Sequence, residues 1–290
     1  MLKKNNQIAL IAPSGWFEKK DIEKSIKWFE KQGLTPVVSK HAYDVDFYAA
    51  GTPQNRAKDI NVAFSRNDIK AVFCIRGGAG SLKTLDFIDY ELIQKNKKPL
   101  FGLSDSTALQ NAIYTKTKNI SYTGFLPVFD FKTGKIDTRV EQSLTDIFQN
   151  KTQEVKDFDV LKHGQCEGIL IGGCLSVFLS LCGTPYFPNL RNKIILIEDV
   201  SEKTYRIDLM LQQLKMQKGF DQIKGLIFGQ FAKCVEADAG DGSIDDIIKN
   251  FAKDIEKPVV YNFPYGHIQS RVLMPIGKKI KIKTTSSITF

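Results

Sequence analysis

The alternation of short apolar runs with helical patterns in the first half of the chain most constrains its fold. Apolar runs at 7–12, 36–39, 71–75 and 99–103 each precede a stretch that has helical spacing or helix-start residues. The run 71–75 is apolar at every position, which is typical of a parallel strand covered by helices on both faces. Strands that alternate with helices in this way predict an α/β fold with a doubly wound parallel sheet.

The second half of the chain differs in pattern and predicts a second domain. A polar stretch at 137–150 is followed by connecting sequence rich in Lys and Asp. We therefore expect an N-terminal α/β domain at 1–130, a linker at 131–164 and a C-terminal domain at 165–290. The uncharged segment 168–190 holds four glycines and two prolines, which favours a buried strand, turn and helix over a membrane span. The alternating run 279–283 predicts a half-exposed strand.

Composition narrows the classes of partner. The chain carries 41 basic and 32 acidic residues, a net charge of +9, spread without long runs. Unclustered basic charge favours small anionic substrates over nucleic acid. The five cysteines form no CxxC pair, which is typical of reduced thiols inside a cell. The apolar run 8–13 is too short for the core of a signal peptide, so we expect a cytoplasmic protein without membrane contact.

A glycine-rich loop follows the third predicted strand. Its sequence, Arg76-Gly77-Gly78-Ala79-Gly80-Ser81, lies where ligands bind at the carboxyl ends of parallel strands. Glycines let backbone N–H groups approach an anion or an oxyanion. A glycine turn needed only for tight packing is the competing interpretation.

A second loop, 102–107, joins the fourth strand to a helix and presents Ser104. A serine at such a junction can act as a nucleophile, with the helix N-terminus and the following N–H group stabilising negative charge. The GxSxG elbow pattern is not met, because Ser106 stands in the place of the last glycine. Ser104 or Asp105 could instead be the N-cap of the helix.

A serine nucleophile needs a histidine base and a carboxylate that orients the base. Of the three histidines, His267 follows a predicted strand in a rigid turn, whereas His41 and His163 lie in polar stretches. Glu198 directly follows four apolar residues, with Asp199 and Glu202 as rival carboxylates on the same loop. His163 and Cys166 lack further ligands at metal spacing, so we predict neither a metal nor a cofactor.

The ordered set of motifs resembles the LD-carboxypeptidase family of serine peptidases, also called muramoyltetrapeptide carboxypeptidases. The matching segments cover nearly the whole chain and occur in the family's order. They are the stretches 11–15, 50–52, 76–81, 102–107, Gly168 with Gly172-Gly173, 183–185, 198–200, 205–208, 266–267 and 274–277.

The resemblance implies a Rossmann-like N-terminal domain with a parallel sheet, comparable to a flavodoxin-like one, and a smaller β-rich C-terminal domain. It implies a triad of Ser104, Glu198 and His267, with backbone N–H groups of Gly78 and Asp105 as oxyanion donors. The implied reaction releases terminal D-alanine from the L-centre of a diamino acid in murein tetrapeptides, and it needs neither a metal nor a cofactor. The resemblance also implies a cytoplasmic homodimer that acts in peptidoglycan recycling. Arg76 is a candidate for binding the terminal carboxylate of the muropeptide, or alternatively a structural bridge.

Two departures from the family pattern concern the pocket. Ala79 stands where the family often has tyrosine, and Cys174 stands where it favours asparagine. Ala79 predicts a more open pocket wall, and Cys174 bears on the fine substrate preference while leaving the triad intact. A related peptidase that confers immunity to peptide-nucleotide antibiotics, or a peptide-binding protein without activity, is the alternative function.

Overall fold

The computed structural model describes residues 2–290, and within them it places fourteen strands in two sheets. The first sheet has six strands in the order β12-β5-β4-β3-β1-β2. Its first five strands by sequence pair in parallel, and β12 joins antiparallel to β5. The strands are β1 (Gln7–Ile11), β2 (Thr35–Val38), β3 (Ile69–Cys74), β4 (Leu100–Gly102), β5 (Ser121–Thr123) and β12 (Met274–Ile276).

The second sheet has eight strands in the order β6-β14-β13-β8-β9-β10-β11-β7. The central strands β8, β9, β10 and β11 run parallel, and antiparallel strands flank them on both sides. The strands are β6 (Glu154–Val155), β7 (Asp159–Lys162), β8 (Gln165–Cys174), β9 (Lys193–Val200), β10 (Gly225–Ala232), β11 (Val259–Tyr261), β13 (Lys279–Lys283) and β14 (Ser287–Thr289).

Helices follow most of the parallel strands. Thr52 caps one of them through its side chain, and Pro53 occupies the first helical position, as the sequence predicts. The α-helices are α1 (Glu23–Lys31), α2 (Pro53–Ser65), α3 (Tyr90–Lys95), α4 (Ser106–Thr117), α5 (Pro127–Asp130), α6 (Thr138–Phe148), α7 (Leu175–Leu179), α8 (Thr204–Lys215) and α9 (Ile244–Ala252). Short 3-10 helices lie at Lys19–Ile22, Ser81–Phe87 and Phe220–Gln222.

Two hydrophobic clusters hold the layers together. One covers a single face of the first sheet, where α1 and α6 pack on a stack in which Phe73 and Phe101 have ring centroids 4.3 Å apart. The other is continuous from the opposite face of the first sheet, through α4, into the second sheet. The two sheets therefore share one buried core, and α4 lies between them.

The predicted fold class is confirmed, including the parallel first sheet and the β-rich second half. The half-exposed strand at 279–283 is confirmed as β13, whose isoleucines are buried and whose lysines are exposed. The segment 131–164 contains α6, β6 and β7, while β12 returns from the C-terminal half to the first sheet. The division at 1–130, 131–164 and 165–290 stays a prediction.

The uncharged segment 168–190 forms most of β8, the short helix α7 and the turns that follow. Across residues 2–290, the structure contains no helix that combines the length and apolar character needed to cross a bilayer.

Substitution of Gly172 tests the close packing of β8 on β9. Gly172 has φ +109°, and an added Cβ would lie 2.1 Å from the Leu196 carbonyl oxygen. We expect Gly172→Ala to be destabilising by about 2 kcal/mol or more relative to Gly183→Ala, because overpacking adds to the backbone strain. Gly183 has φ +80° and nothing within 4 Å of the added Cβ, so it controls for strain alone. Urea unfolding of both variants gives the comparison, and equal midpoints would contradict it.

Candidate active site

Ser104 lies on the tight turn between β4 and α4, at the carboxyl end of the first sheet. Its backbone has φ +65°, a left-handed conformation that is strained for serine. The turn is possible because Gly102 has no side chain: a Cβ there would lie 2.2 Å from Ser106 Oγ. Neither Ser104 nor Asp105 caps α4 with its side chain. Asp105 occupies the N-cap position of α4 without a capping side-chain bond, and Ser104 precedes it on a strained strand-to-helix turn of the kind that exposes nucleophiles.

The glycine loop packs directly against Ser104. A Cβ on Gly77 would lie 2.9 Å from Ser104 Cβ and 3.0 Å from its Oγ. Gly78 has φ +105° and sits against Gly15, whose N–H donates to the Gly77 carbonyl at 3.0 Å. Among residues 2–290, neither the Gly78 nor the Asp105 N–H group has a hydrogen-bond acceptor. Both N–H groups therefore meet one requirement of an oxyanion donor, which is that no acceptor in the protein occupies them.

The Asp105 side chain joins the two predicted loops. Its carboxylate accepts a hydrogen bond from the Ser81 N–H at 2.8 Å, and Ser81 Oγ donates to the Asp105 carbonyl at 2.6 Å. Burial raises the pKa of Asp105, and the hydrogen bond from Ser81 acts against that rise. The side chain fixes the spacing between the glycine loop and the turn, while its backbone N–H stays available.

Arg76 lies at the start of the glycine loop and bonds to a neighbouring loop. Its Nη1 donates to the Trp16 carbonyl. Arg76 therefore bridges two loops, as one of the two interpretations expected. In the part of the chain that the structure describes, its other guanidinium nitrogens have no hydrogen-bond partner, so carboxylate binding stays open.

Glu198 and His267 form a hydrogen-bonded pair on the second sheet. His267 Nδ1 lies 2.8 Å from Glu198 Oε2, and the His267 N–H donates to the same oxygen at 3.2 Å. Glu198 is fully buried near the end of β9. Burial raises the pKa of Glu198, and the hydrogen bond and charge of His267 counteract part of this effect. This arrangement fixes one imidazole tautomer and leaves Nε2 as the nitrogen that can accept a proton.

Two glycines make room for this pair. A Cβ on Gly266 would lie 3.0 Å from Glu198 Oε2, and one on Gly229 would lie 3.2 Å from Glu198 Cβ. Gly266 has φ +130°, so it also supplies a backbone conformation that other residues rarely adopt. The carboxylate can therefore lie beneath the loop that carries the histidine.

The rival carboxylates have other partners. Asp199 is buried, and its oxygens accept hydrogen bonds from the backbone of Ser176 and Val200. Glu202 forms an ion pair with Arg206 at 2.7 Å. Of the three candidate carboxylates, Glu198 is the one that contacts a histidine.

The other two histidines lie elsewhere. His41 Nδ1 contacts Asp44 at 2.9 Å, and His163 is exposed. No group of three or more His, Cys, Asp or Glu side chains in residues 2–290 is arranged to hold a metal ion.

Arg271 anchors the loop that carries His267 to the first sheet. Its Nη2 donates to both oxygens of Asp130, at 2.6 and 2.7 Å, and its Nε donates to the Gly124 carbonyl at 2.8 Å. Its guanidinium carbon lies 5.0 Å from the centroid of Phe129, whose ring meets the His267 ring edge-on at 6.2 Å. Arg271 is fully buried, so this charged pair lies in a low-dielectric region and fixes the geometry between the two sheets.

A second set of bonds fastens α4 to β8. Asn111 donates to the Gly172 carbonyl at 2.9 Å and accepts from the Gly172 N–H at 3.1 Å. Thr107 Oγ1 accepts from the Cys174 N–H at 3.1 Å. Cys174 is paired in register with Glu198 on β9. The helix that begins behind Ser104 is thus tied to the strand beside Glu198.

Sequence reasoning missed these positioning residues. Asn111 and Thr107 are fully buried, but α4 carries several other polar side chains, so the sequence singles out neither residue and reveals neither partner. Arg271 carries no signal either, because its surroundings in the sequence do not show that it is buried.

Ser104 Oγ has no hydrogen bond to His267 within residues 2–290. Such bonds are often long in enzymes without substrate and tighten when substrate binds. The arrangement provides a serine, a histidine oriented by a buried carboxylate, and two free N–H groups. Chemically, these groups suit acyl transfer.

Comparison with known proteins agrees with this chemistry. Residues 8–124 match the LD-carboxypeptidase N-terminal domain, and residues 167–282 match the LD-carboxypeptidase C-terminal domain. A probable murein peptide carboxypeptidase of Bacillus subtilis is 30% identical over 288 residues, covering 98% of this chain and 90% of the relative. The Microcin C7 self-immunity protein MccF of Escherichia coli is 24% identical, covering 93% of this chain and 88% of that protein.

A solved structure extends the match to three dimensions. The crystal structure of muramoyltetrapeptide carboxypeptidase from Oxalobacter formigenes superimposes with a TM-score of 0.88 at 25% identity, covering 97% of this chain and 98% of that one. Since both family domains and the whole fold match, the chain is a peptidase that belongs to the LD-carboxypeptidase family.

Proposed function

We propose that this protein is a serine LD-carboxypeptidase that hydrolyses the bond between the L-centre of a diamino acid and the terminal D-alanine of murein tetrapeptides. The observation that carries the proposal is the 2.8 Å hydrogen bond from His267 to the buried Glu198. This oriented base is anchored to the sheet whose strained turn carries Ser104. Relatives named as murein peptidases support the choice of substrate.

The proposed reaction begins at Ser104. Its Oγ attacks the carbonyl carbon of the scissile bond, while His267 Nε2 takes the hydroxyl proton. The negative charge that forms on the carbonyl oxygen is stabilised by the N–H groups of Gly78 and Asp105. Glu198 stabilises the imidazolium and keeps Nδ1 protonated. The imidazolium then gives its proton to the leaving amine of D-alanine, and an acyl-enzyme remains on Ser104.

Water completes the cycle. His267 removes a proton from a water molecule, and the resulting hydroxide attacks the acyl carbon. The proton returns from the imidazolium to Ser104 Oγ, and the shortened peptide leaves with a new carboxylate. No external reductant, oxidant or co-reactant other than water is needed.

Specificity for a free carboxyl terminus needs a cationic or N–H-rich group near Ser104. Arg76 is our candidate, because its Nη1 is fixed by Trp16 while its other nitrogens are available. The net charge of +9 also favours peptides that carry several carboxylates.

The alternative function is cleavage of a peptide-nucleotide antibiotic, as the name of the self-immunity relative suggests. A binding protein without turnover is the second alternative. Incubation with a murein tetrapeptide and with an aminoacyl-nucleotide analogue separates the three. Tetrapeptide cleavage supports our proposal, analogue cleavage alone supports immunity, and stoichiometric binding without cleavage supports a binding protein.

We further propose that the enzyme works in the cytoplasm as a homodimer. All five cysteines are free thiols in the structure, which agrees with a reducing compartment. Light scattering coupled to size-exclusion chromatography tests the assembly, since a dimer has twice the chain mass of 32.7 kDa. A single species at the chain mass across micromolar concentrations would refute the dimer.

Replacement of the nucleophile gives the first catalytic prediction. Ser104→Ala should lower turnover of a murein tetrapeptide by about 10⁴-fold or more, because loss of the nucleophile leaves only binding and oxyanion effects. Mass spectrometry of the conversion of tetrapeptide to tripeptide measures it. The control is Ser180→Ala, an exposed serine that donates only to the Val177 carbonyl. Turnover by Ser104→Ala within tenfold of the parent would remove Ser104 from this role.

The pH dependence tests the Glu198–His267 pair. Activity should fall as pH decreases, because protonated imidazole cannot accept the Ser104 proton. Glu198→Gln removes the charge that stabilises imidazolium, so turnover should fall about 10²-fold or more and the midpoint of the pH–rate profile should move to lower pH. Burial raises the pKa of Glu198, so the ionised carboxylate does not stabilise the fold near neutral pH. At that pH the Glu198→Gln variant should therefore have the melting temperature of the parent protein.

One matched variant controls for general effects of charge on this loop. Glu202→Gln removes a carboxylate that is bound to Arg206. It should not move the midpoint of the profile. A crippling Glu202→Gln with an active Glu198→Gln would overturn the assignment of the carboxylate.

Treatment with EDTA should leave turnover unchanged, since the proposed chemistry uses only protein groups and water. A steady-state assay after dialysis against the chelator measures this. Inhibition that added zinc reverses would contradict a serine mechanism.

A further inference from the structure

A cavity of about 440 Å³ lies at the edge of the first sheet that is opposite to Ser104. It lies beside the amino ends of the neighbouring strands β3, β4 and β5, whereas Ser104 follows the carboxyl end of β4. Cavities of this size hold small ligands. Among residues 2–290, no Asp or Glu lines it, but four lysines do: Lys70, Lys97, Lys98 and Lys118. We name it the basic cavity.

Carboxylates do not neutralise the positive charge of the basic cavity. Within residues 2–290, the ion-paired lysines are others than these four, and the nearby Asp68 is bound to Arg66 at 2.6 Å. Burial and the charge of Lys70 lower the pKa of Lys98 to about 8, which shows how closely like charges approach here. Because like charges around one cavity repel each other, their grouping favours the binding of an anion.

Three of the four lysines have donors available for a ligand. Lys98 is buried, and its Nζ donates to three carbonyls at the carboxyl end of α2, at 2.5–3.0 Å, so its role is structural. Lys70 and Lys118 each donate to one backbone carbonyl, at 2.7 and 3.0 Å. Since an ammonium group has three N–H donors, both retain donors for an anion. Lys97 is exposed between α3 and β4.

The remaining wall of the basic cavity is largely apolar. Its side chains include Pro99, Tyr122, Ile147 and Phe148, which are all half-buried. Phe101 fixes the two rings, because it stacks on Tyr122 at 5.2 Å and meets Phe148 edge-on at 6.0 Å. Half-buried rings on a rigid support favour a ligand with a flat ring, since aromatic rings pack edge-to-face or in offset stacks.

The type of cation favours phosphate over carboxylate. Arginine binds carboxylates through its planar fork, whereas lysine acts as a point charge that suits a phosphate. In the part of the chain that the structure describes, no arginine lines the basic cavity. Neighbouring strands lie about 4.8 Å apart, so the long side chains at their ends can converge on one phosphate group.

We propose that the basic cavity binds an aromatic phosphate, which is a phosphate monoester whose body carries an aromatic ring, a class that includes mononucleotides. Lys70, Lys97 and Lys118 bind the phosphate, and Tyr122 and Phe148 contact the ring. The site lies at the other end of β4 from the proposed nucleophile, so its ligand is not the peptide that is cleaved. The proposal therefore does not depend on the proposed function, and a binding assay tests it without turnover.

Calorimetric titration of the protein at low ionic strength compares AMP with its two parts, adenosine and inorganic phosphate. AMP should bind at least about tenfold more tightly than either part, because it alone offers both the charge and the ring. Lys97→Gln should weaken AMP binding about fivefold and leave adenosine binding unchanged. The matched control is Lys95→Gln, which removes the same charge from an exposed lysine of α3 outside the cavity.

The ring is tested by Phe148→Leu, which keeps an apolar side chain. This variant should weaken AMP binding about fivefold and leave inorganic phosphate binding unchanged. Its control is Phe87→Leu, which removes a ring that is 46% exposed and lines a separate groove. Thermal unfolding of both variants shows whether a loss of binding reflects a loss of fold.

Four results would refute the proposal. AMP could bind no more tightly than adenosine or inorganic phosphate, so that charge and ring do not act together. AMP binding could be unchanged in Lys97→Gln and Phe148→Leu, which would place AMP elsewhere. A murein tetrapeptide could displace AMP, which would place it at Ser104. Finally, neither AMP nor 1-naphthyl phosphate could bind at about 1 mM, which would exclude this ligand class.

Discussion

The docking of α4 onto β8 is the interaction on which the rest of the site depends. Asn111 forms two hydrogen bonds to Gly172, and the absence of a side chain at Gly173, where a Cβ would lie 2.5 Å from Thr107 Oγ1, lets the helix approach the strand closely. The N-terminus of α4 lies behind Ser104, and the end of β8 pairs with the strand that carries Glu198. Because the two halves of the proposed triad come from different sheets, a small shift at this contact would separate them.

A second contact, between Arg271 and Asp130, fixes the remaining member of the triad. Burial raises the pKa of Asp130, and the charge and hydrogen bonds of Arg271 oppose that rise. A buried pair of this kind contributes less to folding stability than to a unique geometry, because desolvation offsets much of its attraction. Here the geometry concerns His267, whose ring also contacts Phe129 from the first sheet. The base is therefore held by both halves of the protein.

The residues around Ser104 enforce its strained turn. Ser104 has φ +65°, a left-handed conformation that a serine rarely adopts. Glycine at positions 77 and 102 leaves room for this turn, because a Cβ on Gly77 would lie 2.9 Å from Ser104 Cβ and one on Gly102 would lie 2.2 Å from Ser106 Oγ. The Thr107 N–H donates to the Ser104 carbonyl at 2.8 Å, so α4 begins directly behind the proposed nucleophile. Packing therefore fixes the position of the proposed reactive group before substrate binds.

The sequence by itself determined the parallel first sheet, the loops at its carboxyl edge and the half-exposed strand β13, because these depend on local periodicity and on the residues that end strands. It also singled out Ser104, Glu198 and His267 as chemical types in suitable loops. Only the tertiary structure decided that Glu198, and not Asp199 or Glu202, contacts His267. It alone revealed Asn111 and Arg271 as links between the sheets, since hydrogen bonds between residues 61 or 141 positions apart leave no local pattern. Local forces thus set the elements, whereas long-range packing selected the partners of each polar side chain.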